Sequence, residues 1–296
     1  MSAPFELFAA CAPGIEPLLV VELRALGALG VEQEAGGVAF RGHRAVIYRA
    51  NLESGLATHV LVRVARFTAT RFDQLERGLE AIEWERFLRP GTPRTFRAVA
   101  AKSRLHHTGA IAERADNAIA KRLGANPVEG ECVPVALRLI RDCVHVSIDT
   151  SGAPLHRRGY RTTSGPAPVR EDLAHALVLA SGWDRRTPLV DPLCGTGTIA
   201  IEAATLAAHL APGRLRSFAF EQTPLLDEAS WSEVREASAS RAREVPALLG
   251  RDRDPRAVAA SRANAERAGV AVRFEVASVS EPLAIDAPVG ALVTNP

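Results

Sequence analysis

The chain has 296 residues, 47% of them apolar and 24% charged, with a net charge of +2; this suits two or three globular domains and excludes a disordered or collagen-like polymer. No apolar run reaches the about 18 residues of a membrane span, since 199–210 is broken by Glu202, Thr205 and His209. The start, Met-Ser-Ala-Pro-Phe-Glu, has no basic n-region or cleavage pattern, and Cys11, Cys132, Cys143 and Cys194 show neither C-x-x-C nor zinc spacing, so a cytoplasmic protein with free thiols and no metal is expected.

Residues 5–11 are predicted to form a strand, and 15–26 an amphipathic helix opened by the Pro13-Gly14 turn. Two short strands meet at the Gly36-Gly37 hairpin signal. Ala45, Ile47, Tyr48 and Leu52 fall at helical spacing over 44–52, and Val60, Val62 and Val64 alternate like a half-buried strand over 59–67. The resulting order over residues 1–68, βαββαβ, is ferredoxin-like. A second unit, 69–155, holds a helix over 72–84, a break at Pro90-Gly91-Thr92-Pro93, a strand over 95–101, a basic helix over 109–123 and paired strands over 133–141 and 143–150. The Arg-, Pro-, Ser- and Gly-rich segment 156–169 is a linker by composition, and a helix over 170–181 opens the last unit, 170–296.

Charge is unevenly shared: residues 1–170 carry 23 Lys and Arg against 17 Asp and Glu, and the remainder 13 against 17. Between 94 and 122, Arg94, Arg97, Lys102, Arg104, Arg114, Lys121 and Arg122 face only Glu113 and Asp116; Arg157, Arg158, Arg161 and Arg170 form a second cluster. A basic half of this kind suits a phosphate polymer such as RNA, the plain alternative being a solvated surface. Arg97, Lys102, Arg104, Lys121, Arg122, Arg157, Arg158 and Arg161 are the candidate phosphate contacts.

The chemistry is carried by 188–204, Pro-Leu-Val-Asp-Pro-Leu-Cys-Gly-Thr-Gly-Thr-Ile-Ala-Ile-Glu-Ala-Ala, a strand entering a Gly-rich turn and a helix. The pattern G-x-G-x-x-A is satisfied, which first suggests a dinucleotide site. Asp191 opposes it, because a carboxylate in the turn repels a pyrophosphate, and no acid ends a second strand about 20 residues on; Asp252 is the first candidate. A ligand with cationic groups and no phosphate, such as S-adenosylmethionine, answers Asp191, while Asp252 at the end of a strand over 246–251 suits two ribose hydroxyls. A helix over 254–268 and strands over 270–277 and 289–294 complete a doubly wound parallel sheet with an insertion at 212–244. Asp254 is predicted to cap its helix, Cys194 to be a packed small residue and Glu202 a structural helix residue in preference to a base. His106-His107 is expected on the surface, and Trp84, Trp183 and Trp231 in packing roles.

Asp-Pro-Leu-Cys-Gly-Thr-Gly-Thr-Ile, followed by a strand and Thr294-Asn295-Pro296, resembles the class I methyltransferases that modify exocyclic amines, whose fourth motif is Asn/Asp-Pro-Pro-Tyr. Ala-Cys-Ala-Pro-Gly-Ile-Glu at 10–16, Leu-His-Arg-Arg-Gly-Tyr-Arg at 155–161, and Ala-Pro-Gly at 211–213 with Trp231 downstream are similar to THUMP-domain RNA guanine-N2 methyltransferases, the bacterial 23S ribosomal RNA enzymes in particular. The resemblance implies a multidomain α/β and α+β chain: a ferredoxin-like domain, a THUMP domain that binds RNA, and a truncated Rossmann-like catalytic domain using S-adenosylmethionine. It maps Asp191, Cys194, Gly195 and Gly197 to the cofactor loop, Asp252 to the ribose acid, and Asn295 and Pro296 to the catalytic motif. Ser278 stands where the family usually has an Asp near the adenine amine. The Asn295 side-chain oxygen and the Pro296 carbonyl would accept the two N–H groups of a guanine N2 amine and turn its lone pair toward the methyl group.

A tRNA enzyme and a catalytically silent RNA-binding fragment remain as alternatives. Because 290–294 reads as a buried strand with one encoded neighbour, and the motif stops after Pro296, the expectation is a fragment of a longer polypeptide that folds and binds RNA without methylating it.

Overall fold

The computed structural model describes residues 3–127, 129–161, 169–283, 285 and 288–296. Half of the expected linker, residues 162–168, therefore lies outside the described residues. The predicted βαββαβ order forms as β1 (Phe5–Ala10), α1 (Glu16–Ala25), β2 (Leu29–Glu34), β3 (Gly37–Gly42), α2 (Arg44–Glu53) and β4 (His59–Thr68). It is followed by α3 (Phe72–Glu80), β5 (Arg94–Ala101), α4 (Thr108–Leu123), β6 (Val133–Ile140) and β7 (Cys143–Asp149). β7 lies antiparallel along β4, so the strands join in one seven-stranded sheet, β2-β3-β1-β4-β7-β6-β5. The expected boundary after residue 68 thus falls inside a continuous sheet. Leu7, Val62, Leu137 and Val146 on the strands share a single core with Leu19, Ile47, Leu79 and Ile119 of the four helices.

Two local departures from the predicted elements have clear causes. The helix expected over 72–84 stops at Glu80, and residues 84–86 form a 3-10 turn, because the fully buried Trp84 turns back to donate its indole N–H to the Leu79 carbonyl at 2.9 Å. Such a bond satisfies one of the acceptors that a helix end leaves free. In β4 the register slips between Arg63 and Ala65, a bulge that breaks the expected Val60–Val62–Val64 alternation and leaves Val64 only half-buried.

The last unit holds α5 (Glu171–Ala180), β8 (Leu189–Asp191), α6 (Thr198–Ala207), α7 (Glu228–Ala239), β9 (Leu248–Asp252), α8 (Pro255–Ala268), β10 (Arg273–Val276) and β11 (Ala291–Leu292). Four parallel strands run in the order β10-β9-β8-β11. The chain moves outward from β8 and returns to its other side, which makes β8 the switch point where such sheets hold ligands. The buried strand expected over 289–294 is two residues long, and Leu292 is 60% exposed; among the described residues it pairs with β8 alone.

Residues 212–244 do more than lengthen a connection. Phe218, Phe220, Leu225 and Trp231 join the core of the N-terminal sheet. Tyr48 stacks on Phe220 with ring centroids 4.9 Å apart, donates its hydroxyl to the Leu225 carbonyl at 2.7 Å and accepts from the Asp227 N–H. Trp231 stands edge-on to Phe220 at 5.2 Å, and Arg216 donates to the carbonyls of Ser151, Ala153 and Pro154. Among the described residues no helix is long and apolar enough to cross a membrane. Trp231→Ala is expected to cost about 3–5 kcal/mol in denaturant unfolding, the usual penalty for emptying a buried aromatic site; a loss below 1 kcal/mol would show that the 212–244 segment does not clamp the two halves.

Candidate active site

The Gly-rich turn is built by backbone demands before any ligand is considered. Gly195 and Gly197 adopt positive φ angles of 53° and 83°, a region that favours glycine. A Cβ on Gly197 would stand 2.9 Å from the Phe274 ring and 3.0 Å from Ser261 Cβ, so the turn can pack against α8 only without a side chain there. Gly250 in β9 is needed for the same reason, because its Cβ would meet the Phe274 ring at 2.5 Å and Cys194 at 3.2 Å. Two polar residues on the inner face of α8 then fasten the turn: Ser261 donates to the Gly195 carbonyl at 2.8 Å, and Asn264 to the Thr196 carbonyl at 3.0 Å. Sequence reasoning missed both. Their signal is a pair of polar residues three apart within the buried stripe of Val258, Ala265 and Ala268.

Parallel pairing brings the carboxyl ends of β8, β9 and β11 together, and with them Asp191, Asp252 and Asn295. Asp191 is 1% exposed, and burial pushes its carboxyl up to about 6, with the Thr294 hydroxyl and Leu193 amide pulling the other way and Asp252 adding to the rise. A carboxylate this poorly solvated, beside a second acid, fits a cationic ligand. Asp252 accepts the Gly195 N–H at 3.0 Å on one oxygen and the Asp254 N–H at 2.9 Å on the other. Each oxygen keeps a lone pair for a hydroxyl donor. Ser278 follows β10 at the same edge and is half-buried, sharing its hydroxyl with Ser280 at 2.8 Å. Asn295 and Pro296, which follow β11, are exposed.

The buried Cys194 thiol is pushed up to about 12 by its burial and the neighbouring Asp191, which suits packing and not nucleophilic attack. Asp254 caps α8 by accepting the Arg256 N–H at 2.9 Å, as predicted. His106 and His107 are exposed, and among the described residues no cluster of three or more His, Cys, Asp or Glu could hold a metal.

Glu202 lies about one turn along α6 and is buried. Arg158 stands 3.5 Å from one of its oxygens and His175 3.1 Å from the other, and Tyr160 donates its hydroxyl from 3.4 Å. Burial drives the carboxyl upward, but Arg158 and His175 outweigh it and hold Glu202 below its ordinary value. It is a structural anion and not a free base.

These contacts correct two of the candidate phosphate ligands. Arg158 is 3% exposed and also donates to the carbonyls of Leu155 and Gly55 at 2.8 and 2.6 Å. Arg161 pairs with Glu171 at 3.0 Å and donates to the Thr198 hydroxyl at 2.7 Å, in the first turn of α6. Both are committed to the joint between the halves; Arg157 is exposed. The cations of α4 are not the free cluster that counting within 94–122 suggests, because α3 and the turn after it supply carboxylates. Lys121 pairs with Glu80, Arg122 with Glu85 and Arg114 with Glu76. Arg97 lies 3.7 Å from Asp149, whereas Lys102 and Arg104 are exposed without an ion pair among the described residues.

Comparison with known proteins gives two family matches: the RMKL-like methyltransferase domain over residues 158–296 and the RlmL ferredoxin-like domain over 6–61. A ribosomal RNA large subunit methyltransferase K/L from Syntrophotalea carbinolica is 37% identical over the whole of this chain, which spans 44% of that protein's length. A provisionally assigned methyltransferase crystallised with SAH is 34% identical, with a TM-score of 0.90 over 100% of this chain and 81% of its own. A predicted N6-adenine-specific DNA methylase from Listeria monocytogenes is 32% identical, with a TM-score of 0.92 over 99% of this chain and 80% of its own.

The raised Asp191 has a stability consequence whose sign follows from linkage. Between its ordinary value of 3.8 and about 6 the folded protein holds a proton that the unfolded chain has released, so stability falls as pH rises through that window, by at most about 3 kcal/mol. Asp191→Asn is expected to raise the unfolding midpoint at pH 7.5 and to change nothing at pH 4, measured by denaturant titration. An Asn variant no more stable than the parent at pH 7.5 would contradict this.

Proposed function

The chain belongs to the RMKL-like methyltransferase family, with the RlmL ferredoxin-like domain at its N-terminal end, and from that premise we propose that it methylates the exocyclic N2 amine of a guanosine in large-subunit ribosomal RNA. The observation that carries the reading is the meeting of Asp191, Asp252 and Asn295 at one sheet edge. S-adenosylmethionine is the cofactor: it supplies an activated methyl group on a sulfonium and brings the cationic groups that Asp191 lacks.

Asp252 would hold the ribose through the lone pairs its backbone donors leave free. Ser278, which follows β10, would meet the adenine end. The Asn295 side-chain oxygen and the Pro296 carbonyl accept the two N–H groups of the target amine, which localises its lone pair toward the methyl group and stabilises the positive charge that develops on nitrogen. Residues 69–155 act as the THUMP unit that grips the RNA. The relatives' names support a nucleic acid as target while differing between ribosomal RNA and DNA adenine, so the base and polymer are what the test must separate.

With labelled S-adenosylmethionine and the full protein, label is expected in N2-methylguanosine of 23S ribosomal RNA; label in tRNA or in N6-methyladenosine would overturn the assignment. Calorimetry is expected to show S-adenosylmethionine binding without NAD binding, and Asp252→Ala to weaken it at least about tenfold. Asn295→Ala is expected to lower the methylation rate by about 100-fold with RNA affinity unchanged.

A further inference from the structure

The helices α1–α4 cover one face of the seven-stranded sheet, and the other face is an open groove of about 700 Å³. Strand register sets its side chains in rows. Arg63 on β4 lies across from Ser147, then Ala136, then Arg97; in the next row Arg66 lies across from His145, then Arg138, then Val99. The β4 bulge matters here. Arg63 and Arg66 are three positions apart, an odd spacing that would send them to opposite faces in a regular strand, and the extra residue returns both to the groove.

Charge on this face is poorly compensated. Glu34 pairs with Arg63 and the buried Asp149 stands near Arg97, but among the described residues no carboxylate lies within ion-pair distance of Arg66, Arg138 or Arg141. The His145 imidazole is pushed below its ordinary value by burial and then by Arg63, Arg66 and Arg138, with only Glu34 opposing. Lys102 and Arg104 extend the patch: the Arg141 N–H donates to the Ala101 carbonyl, and the Arg104 N–H donates to Asp142 at 2.7 Å, at the end of β5 and the β6–β7 turn. This contrasts with α4, where each cation has a carboxylate partner.

We infer that a single-stranded segment of RNA lies across this open sheet face, its phosphates on Arg66, Arg138 and Arg141, an inference that rests on the RNA reading above. The four strands from β4 to β5 span about 14 Å, and rows along a strand stand about 7 Å apart, so the guanidiniums form a lattice that several phosphates can meet at once. The floor between them is apolar: Val99 is 58% exposed, and Phe8, Leu61 and Ile140 line the same groove. Such a floor receives the faces of unpaired bases, which a duplex keeps stacked inside.

Anisotropy of a fluorescein-labelled 12-nucleotide oligouridylate, titrated between 50 and 200 mM salt, tests this. Arg66→Gln with Arg138→Gln is expected to weaken binding about tenfold and to reduce the slope of log affinity against log salt by about 1.4, two contacts at about 0.7 each. Lys121→Gln with Arg122→Gln is expected to stay within twofold, and melting curves check that both variants fold. Wild-type binding that survives Arg66→Gln with Arg138→Gln overturns this inference alone, as does a duplex of equal length binding as tightly or polyglutamate competing as well as RNA. Wild-type protein that fails to bind the oligonucleotide overturns the RNA reading together with this inference.

Discussion

Asp191 holds a carboxyl group out of water at the carboxyl end of β8, and the cost of that burial organises its surroundings. The turn that follows packs against α8 with no side chain at Gly197 and a positive φ at Gly195, and α8 presents Ser261 and Asn264 to catch the carbonyls thrown inward. Asp252, at the end of the neighbouring strand, spends one lone pair of each oxygen on fixing that turn and on starting α8. The edge is thus rigid and negative before any ligand arrives. A cation at that edge relieves the buried acid, so cofactor binding draws on free energy already stored in the fold.

The joint between the halves is a second buried charge system with a different task. Arg158, from the segment after β7, reaches the Gly55 carbonyl of the first unit and Glu202 on α6, while Arg161 holds Thr198 at the start of the same helix. Buried pairs of this kind add little net stability relative to apolar packing. What they fix is geometry: the basic sheet cannot rotate against α6 without pulling Arg158 away from Glu202. The aromatic cluster of Tyr48, Phe220 and Trp231 fastens the other side of that joint. If RNA lies on the sheet as proposed, its phosphates would thereby be held at a set distance from the carboxyl ends of β8 and β9.

Local pattern made much of this legible. The ferredoxin-like order, the Gly-rich turn, the acid ending β9 and the Asp254 cap all follow from spacing within a few residues, and the structure forms each of them. The failures share a cause, which is that partners come from distant chain. Lys121 and Arg122 count as free cations only until α3 brings Glu80 and Glu85 alongside. Arg158 carries the same charge as Arg157, but one is buried in the joint and the other exposed, a difference no neighbouring residue encodes. The β4 bulge is likewise invisible in an alternating valine pattern, yet it decides which face receives Arg66. Ser261 and Asn264 were readable in principle as polar breaks in an apolar stripe, although such breaks also arise wherever a helix back-bonds its own carbonyls, as Ser261 does to Ala257.

The central claim is that Asp191 is about half protonated near pH 6 in the free protein and ionised once the cofactor's cation is bound. Calorimetric titration with S-adenosylmethionine at pH 5.5, in two buffers of different ionisation enthalpy, reads this directly. With the carboxyl at about 6, the account predicts release of about three-quarters of a proton at pH 5.5, little at pH 7, and none at either pH in Asp191→Asn. Heats at pH 5.5 that do not depend on the buffer, or a release that persists in the Asn variant, would contradict it.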